Sequence, residues 1–145
     1  MTYGTFDLTE HTQLSIRGTT GTHPDSEHVF GVYIGTDELH AEDGGKTPDI
    51  SAYDDMDWSN AVGLAVWIME NSSLKEYKYN WLTENCSLGR VWDDLKREFV
   101  CNVFIRVPLK SPIRGGIEDR CDWERAVQMA KWILEWDENF KRAKE

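Results

Sequence analysis

The residues able to do chemistry in this chain are three cysteines, four histidines and a dense run of carboxylates. Cys86, Cys101 and Cys121 form no CxxC pair. The N-terminus carries no export signal, so they read as free thiols in a reducing compartment, the cytoplasm of a bacterium or of a host cell. Cys101 lies in an apolar alternating stretch, and Cys121 occupies a position held by Met56 in a repeat described below, so both are expected to be packing residues. Nucleophile-elbow, P-loop and GxGxxG motifs are all missing. His23, Asp25, Glu27 and His28 could bring two imidazoles and two carboxylates together, but at no known zinc spacing. The acidic segment lacks the alternating Asp/Asn ligands and closing Glu of a calcium loop. No catalytic set, cofactor or metal is expected, and the chain reads as a non-enzyme.

Two constellations remain. The first is an anion cradle: Lys110, Arg114 and Arg120 surround Gly115-Gly116, with Arg106 nearby, just ahead of a helix start. Free N–H groups and arginines in that arrangement can hold a phosphate, which makes a small-anion or nucleotide binder using the 110–120 loop, as a sponge or an enzyme, the alternative reading. The second is the charge map. The 145 residues carry a formal charge of −10. Between Asp25 and Asp57 ten acidic residues face Lys46 alone, a balance of −9, while residues 58–145 are neutral overall. Asp37, Glu38, Glu42, Asp43, Asp49, Asp54, Asp55 and Asp57 hold most of that excess, with Tyr53 and Trp58 as aromatic neighbours. Unpaired carboxylates crowded together stay in water, where they solubilise the chain or attract a basic partner. The same excess disfavours direct nucleic-acid binding and a basic membrane-facing surface. The longest apolar run, Ala61 to Met69, is too short to cross a bilayer.

The elements that must position these residues follow from periodicity. Residues 12 to 18 and 28 to 36 alternate as strands, with Phe30, Val32 and Ile34 on one face. Residues 37 to 56 read as one long acidic loop carrying Gly44-Gly45 and Pro48. Asp57 is placed to cap a helix to about Asn71, and residues 77 to 81 alternate as a strand. Ser87 is placed to cap a second helix, because Leu88, Val91, Trp92, Leu95 and Phe99 fall at helical spacing. Residues 101 to 109 form a strand, 111 to 120 a loop, and 122 to about 141 the last helix. The order predicts a single compact α+β domain over residues 1–145, with about four strands in one antiparallel or mixed sheet and three helices.

Residues 56–70, MDWSNAVGLAVWIME, match 121–135, CDWERAVQMAKWILE, at eight of fifteen positions, two of them tryptophans. The match reads as duplication of a strand–loop–helix unit, or as two helices under the same packing demand. On the last helix Trp132, Trp136 and Phe140 lie away from the Ala126/Ala130 stripe, an apolar arc too wide for one sheet face. Another layer of the same chain, a subunit interface giving a homo-oligomer, or a partner must cover it. Taken together, these features predict a protein-binding module: an inhibitor covering the basic surface of a nuclease or other nucleic-acid-handling protein. In size and charge it is analogous to phage anti-defence and toxin-immunity proteins. An acidic adaptor in a larger assembly is the third reading.

Overall fold

The computed structural model describes residues 2–18, 28–35, 51–106 and 116–143. Its elements run twice through the same order. The first half is β1 (Thr2–Asp7), β2 (Thr12–Gly18), β3 (His28–Gly35), β4 (Ser51–Asp57) and α1 (Trp58–Glu70). The second is β5 (Lys78–Trp81), β6 (Cys86–Asp93), β7 (Glu98–Arg106), β8 (Gly116–Asp122) and α2 (Trp123–Ala143). Each half is an antiparallel meander of four strands followed by a helix. The α+β class stands, but there are two four-stranded sheets rather than one, and two helices rather than three. The strand expected from 101 ends at Arg106 within the described residues.

The stretch expected as a middle helix, 87 to 99, is instead most of the β6–β7 hairpin. From Cys86 to Val91 every residue is buried, so both faces of β6 are covered and the period-2 signal vanishes. The hairpin turn is made by Asp93, whose Oδ1 accepts the backbone N–H groups of Leu95 (2.9 Å) and Lys96 (3.0 Å). Arg97 completes it with φ 53°. Leu95, a core position in the helical reading, is 97% exposed.

β4 and β8 were both expected as loop. Each is the outermost strand of its sheet, and such strands carry charge outward. In β4, Ala52 and Met56 point to the core while Tyr53, Asp55 and Asp57 point out; in β8, Ile117 and Cys121 alternate with Glu118, Arg120 and Asp122. Asp57 does occupy the helix N-cap position, but its carboxylate bonds none of the first-turn N–H groups.

Side chains of both sheets and both helices enter one hydrophobic cluster, with Ala61, Ala65, Ala126 and Ala130 all fully buried. Matched contacts join the halves. Trp58, opening α1, donates its indole N–H to Asp137 near the end of α2 (2.9 Å); Trp123, opening α2, donates to Ser72 just past α1 (3.0 Å). The helices therefore lie antiparallel. Both tryptophans stand at the start of a helix for the same reason, which accounts for their place in the repeat.

A second matched pair clasps the sheets. The turn Leu8-Thr9-Glu10 between β1 and β2 repeats as Leu82-Thr83-Glu84 between β5 and β6. In each, the threonine hydroxyl accepts the N–H groups two and three residues on. That hydroxyl then donates to an inward aspartate on the opposite half, Thr9 to Asp119 of β8 and Thr83 to Asp54 of β4.

Candidate functional site

The acidic residues within the described strands separate by parity. Asp54 faces inward and half-buried as the acceptor of the Thr83 hydroxyl, so it belongs to the clasp. Tyr53, Asp55 and Asp57 project from the other side of β4. The β3–β4 register sets Tyr33 directly opposite Tyr53, and the two rings are 44% and 46% exposed. Alternation in the sequence sets Tyr33 on the face opposite Val32 and Ile34, but only the β3–β4 pairing brings it beside Tyr53.

Tyr53 is held flat on the sheet. It lies across Gly31, where an added Cβ would stand 2.7 Å from the Tyr53 hydroxyl. The Arg17 guanidinium sits over its ring at 5.2 Å from the centroid and reaches Asp55 at 3.6 Å. A ring fixed this way loses little freedom when it meets a partner. Beyond Tyr33 the face opens into a hollow of about 370 Å³ lined by Asp7, Glu10, His11 and Gln13 among others. His11 lies 3.4 Å from Glu10. The result is a surface with two exposed tyrosines, bordered by Asp55 and Asp57 on one side and Asp7 and Glu10 on the other. Asp37, Glu38, Glu42, Asp43 and Asp49 fall outside the described residues.

Trp58 does not join this surface, because its indole is tied to Asp137 and its ring packs edge-on against Phe140 and Phe30. The wide aromatic arc of α2 finds ring partners within the chain. Trp132 packs on Phe6, Trp136 lies over Gly4 and against Tyr3, and Phe140 stacks on His28 at 3.7 Å. All three remain half-buried. The arc is broad because its rings meet Tyr3 and Phe6 of β1 while the rest of α2 packs on α1 and the second sheet.

Only part of the expected anion cradle falls within the described residues. Lys110, Arg114 and Gly115 lie outside the described residues, while Gly116 opens β8 and Arg120 stands mid-strand rather than in a loop. The Arg120 guanidinium donates to Asn102 Oδ1 (3.2 Å) and pairs with Asp93 at 3.6 Å. Arg106 lies over the Trp81 ring, 5.4 Å from its centroid.

All three cysteines are buried and free. Burial, with the nearby Asp54 carboxylate adding to it, pushes the Cys86 thiol up to about 12. A hydrogen bond with Cys121, its cross-strand partner, and then burial raise Cys101 well above the ordinary thiol value. Neither is a thiolate at neutral pH. His23, Asp25 and Glu27 lie outside the described residues, and among those described no cluster of three His, Cys, Asp or Glu could hold a metal ion. None of the described helices is long and apolar enough to cross a membrane.

One charged group escaped the sequence reading. Arg90 sits at a core position of β6 and is only 7% exposed, clamped between the rings of Phe99 and Trp123 at 4.9 and 4.6 Å. Its Nε donates to the Leu74 carbonyl at 2.6 Å, and burial lowers its pKa. Compared with protein-family models, curated proteins and solved structures, the chain matches none.

Proposed function

We propose that the chain is an acidic protein-binding module, an inhibitor that covers the basic surface of a nucleic-acid-handling protein. The observation that carries this reading is the outward face of β3 and β4: the opposed, half-exposed Tyr33 and Tyr53, with Asp55 and Asp57 on the same edge strand. Rigid tyrosines supply contact area at low entropic cost, and carboxylates beside them select a positive partner. The strand belongs to the sequence segment that holds nearly all the excess negative charge, and Asp57 faces the same way as Asp55, whose charge Arg17 partly offsets. Duplication of one four-strand–helix unit would account for the matched halves, and the acidic stretch lies in the first of them.

The test is to isolate the bound protein from a host lysate, identify it, and measure association rates against NaCl concentration. An identified target with a basic nucleic-acid-binding surface, inhibited by the module, supports the reading. Asp55→Asn/Asp57→Asn should slow association and flatten its salt dependence, because both groups act through a field screened over about 8–10 Å. Unchanged rate and salt slope in that variant, or a target without a basic surface, overturns it.

A further inference from the structure

The outward faces of the two sheets correspond row by row, and one row differs in kind. Asp7, Gln13 and Tyr33 stand opposite one another across β1, β2 and β3; Trp81, Ser87 and Phe104 do so across β5, β6 and β7. Gly35 and Arg106 match as well. Each ends its strand and donates its backbone N–H to a turn carbonyl, that of His11 or of Asn85.

In the second half this place is full. The Trp81 ring packs edge-to-face with Phe104, centroids 6.2 Å apart, and the Arg106 guanidinium lies over it at 5.4 Å. The chain thus sets a cation of its own on this part of the second sheet. In the first half a carboxylate, Asp7, stands where the indole is, and glycine stands where the arginine is. What remains there is the hollow of about 370 Å³.

The groups lining the hollow suit a cation from outside. Asp7 Oδ1 accepts the Gln13 amide at 2.9 Å, while Arg125 donates to the Asp7 carbonyl and not to its carboxylate. The Glu10 side chain is 78% exposed, with His11 Nε2 at 3.4 Å. The Tyr33 ring lies over Gly35, where an added Cβ would stand 2.7 Å from its hydroxyl, and remains exposed. Thr9 and Thr12, which also line the hollow, spend their hydroxyls on Asp119, so the turn is anchored from behind. Two carboxylates and an aromatic ring therefore line one hollow, and among the described residues no lysine or arginine pairs with either carboxylate.

We infer, on the strength of the proposed function, that this hollow receives one cationic side chain of the basic partner, a lysine or an arginine. Charge complementarity selects the occupant, and the matched place in the second half already holds a guanidinium. The volume, near the lower end of the roughly 300–1,000 Å³ of ligand pockets, admits a whole side chain. A recess also screens a charge pair less than open water does. Tyr33 connects the hollow to Tyr53, its partner across β3 and β4, so one basic surface meets both.

The experiment titrates hexa-lysine and hexa-arginine peptides into the labelled protein at low salt, followed by backbone amide NMR. Binding should shift the His11, Gln13 and Tyr33 amides saturably, and the tighter peptide identifies which cation the hollow prefers. Asp7→Asn keeps an oxygen for the Gln13 amide, and Tyr33→Leu leaves the charge unchanged. Each should weaken binding by roughly two- to fivefold, the worth of one exposed ion pair or cation–π contact. Asp94→Asn, an equal charge change at the exposed β6–β7 turn, should weaken it less than Asp7→Asn does. Shifts that bypass the hollow, wild-type affinity in Asp7→Asn or in Tyr33→Leu, or an equal effect of Asp94→Asn overturns this anchor alone. Failure of the chain to bind either peptide at low salt overturns both the anchor and the basic-partner reading.

Discussion

Removing the Asp119 carboxylate measures what holds the two halves together. Asp119 Oδ2 accepts the hydroxyls of Thr9 and Thr12, the latter at 2.6 Å. Thr12 is 1% exposed, so in Asp119→Ala its hydroxyl has no water to turn to. Thr9 is half-buried, and its oxygen still accepts the N–H groups of His11 and Thr12, so its loss is partial. Hydrogen bonds to a charged acceptor contribute about 1.5–3 kcal/mol each; one full and one partial loss give about 2–4 kcal/mol. At a urea slope near 2 kcal/mol/M that moves the unfolding midpoint down by roughly 1–2 M, with the slope unchanged. Asp119→Asn keeps an uncharged acceptor and should cost about half as much. Asp54→Ala loses the bond from the half-buried Thr83 together with an exposed one from the Asp55 N–H, which water replaces, and should cost about 1–2 kcal/mol. Adding Thr12→Val to Asp119→Ala removes the orphaned hydroxyl and should recover part of the loss, a coupling of about 1–2 kcal/mol in the double-mutant cycle. A cost below about 0.5 kcal/mol for Asp119→Ala, or full additivity with Thr12→Val, refutes the clasp as a stabilising contact.

Native-state thiol titration at pH 8 should find Cys86, Cys101 and Cys121 unreactive, with all three appearing on unfolding; any fast-reacting thiol in the folded protein contradicts their burial. The raised Cys86 pKa makes the folded protein hold a proton that the unfolded chain releases, so this contribution to stability is full below pH 9.0 and declines as pH rises towards about 12. Asp93 has the opposite sign: the Lys96 backbone N–H first, then that of Leu95 and the Arg120 guanidinium, lower its pKa below the ordinary 3.8. Its contribution is present above 3.8 and is lost as pH falls through the lowered value, so Asp93→Asn should be less stable than wild type near neutrality, with the gap closing in acid denaturation followed by circular dichroism.

Local periodicity determined a good part of this fold. The strands at Thr12–Gly18 and His28–Gly35 read directly from their alternation, and the two helices from their apolar stripes. The paired Asp-Trp at each helix start announced a repeated unit, because tryptophan is the rarest residue and helical periodicity does not call for it at that place. The charge map was equally legible, since composition needs no coordinates.

Tertiary structure decided what periodicity could not carry. β6 has helix-like apolar spacing but is covered on both faces, so only its neighbours select the strand. β4 and β8 are polar because they are edges, and edge position belongs to the sheet rather than to the segment. The repeated Leu-Thr-Glu turns lie 74 residues apart while the helices lie 65 apart, so loops of different length hid their correspondence. The acidic run illustrates the division most plainly. Asp54 and Asp55 are adjacent and chemically identical in sequence, yet strand pleating turns one inward to clasp Thr83 and the other outward beside Tyr53. Their roles follow from which side of a strand each occupies, and that is set only when the strand finds its partner.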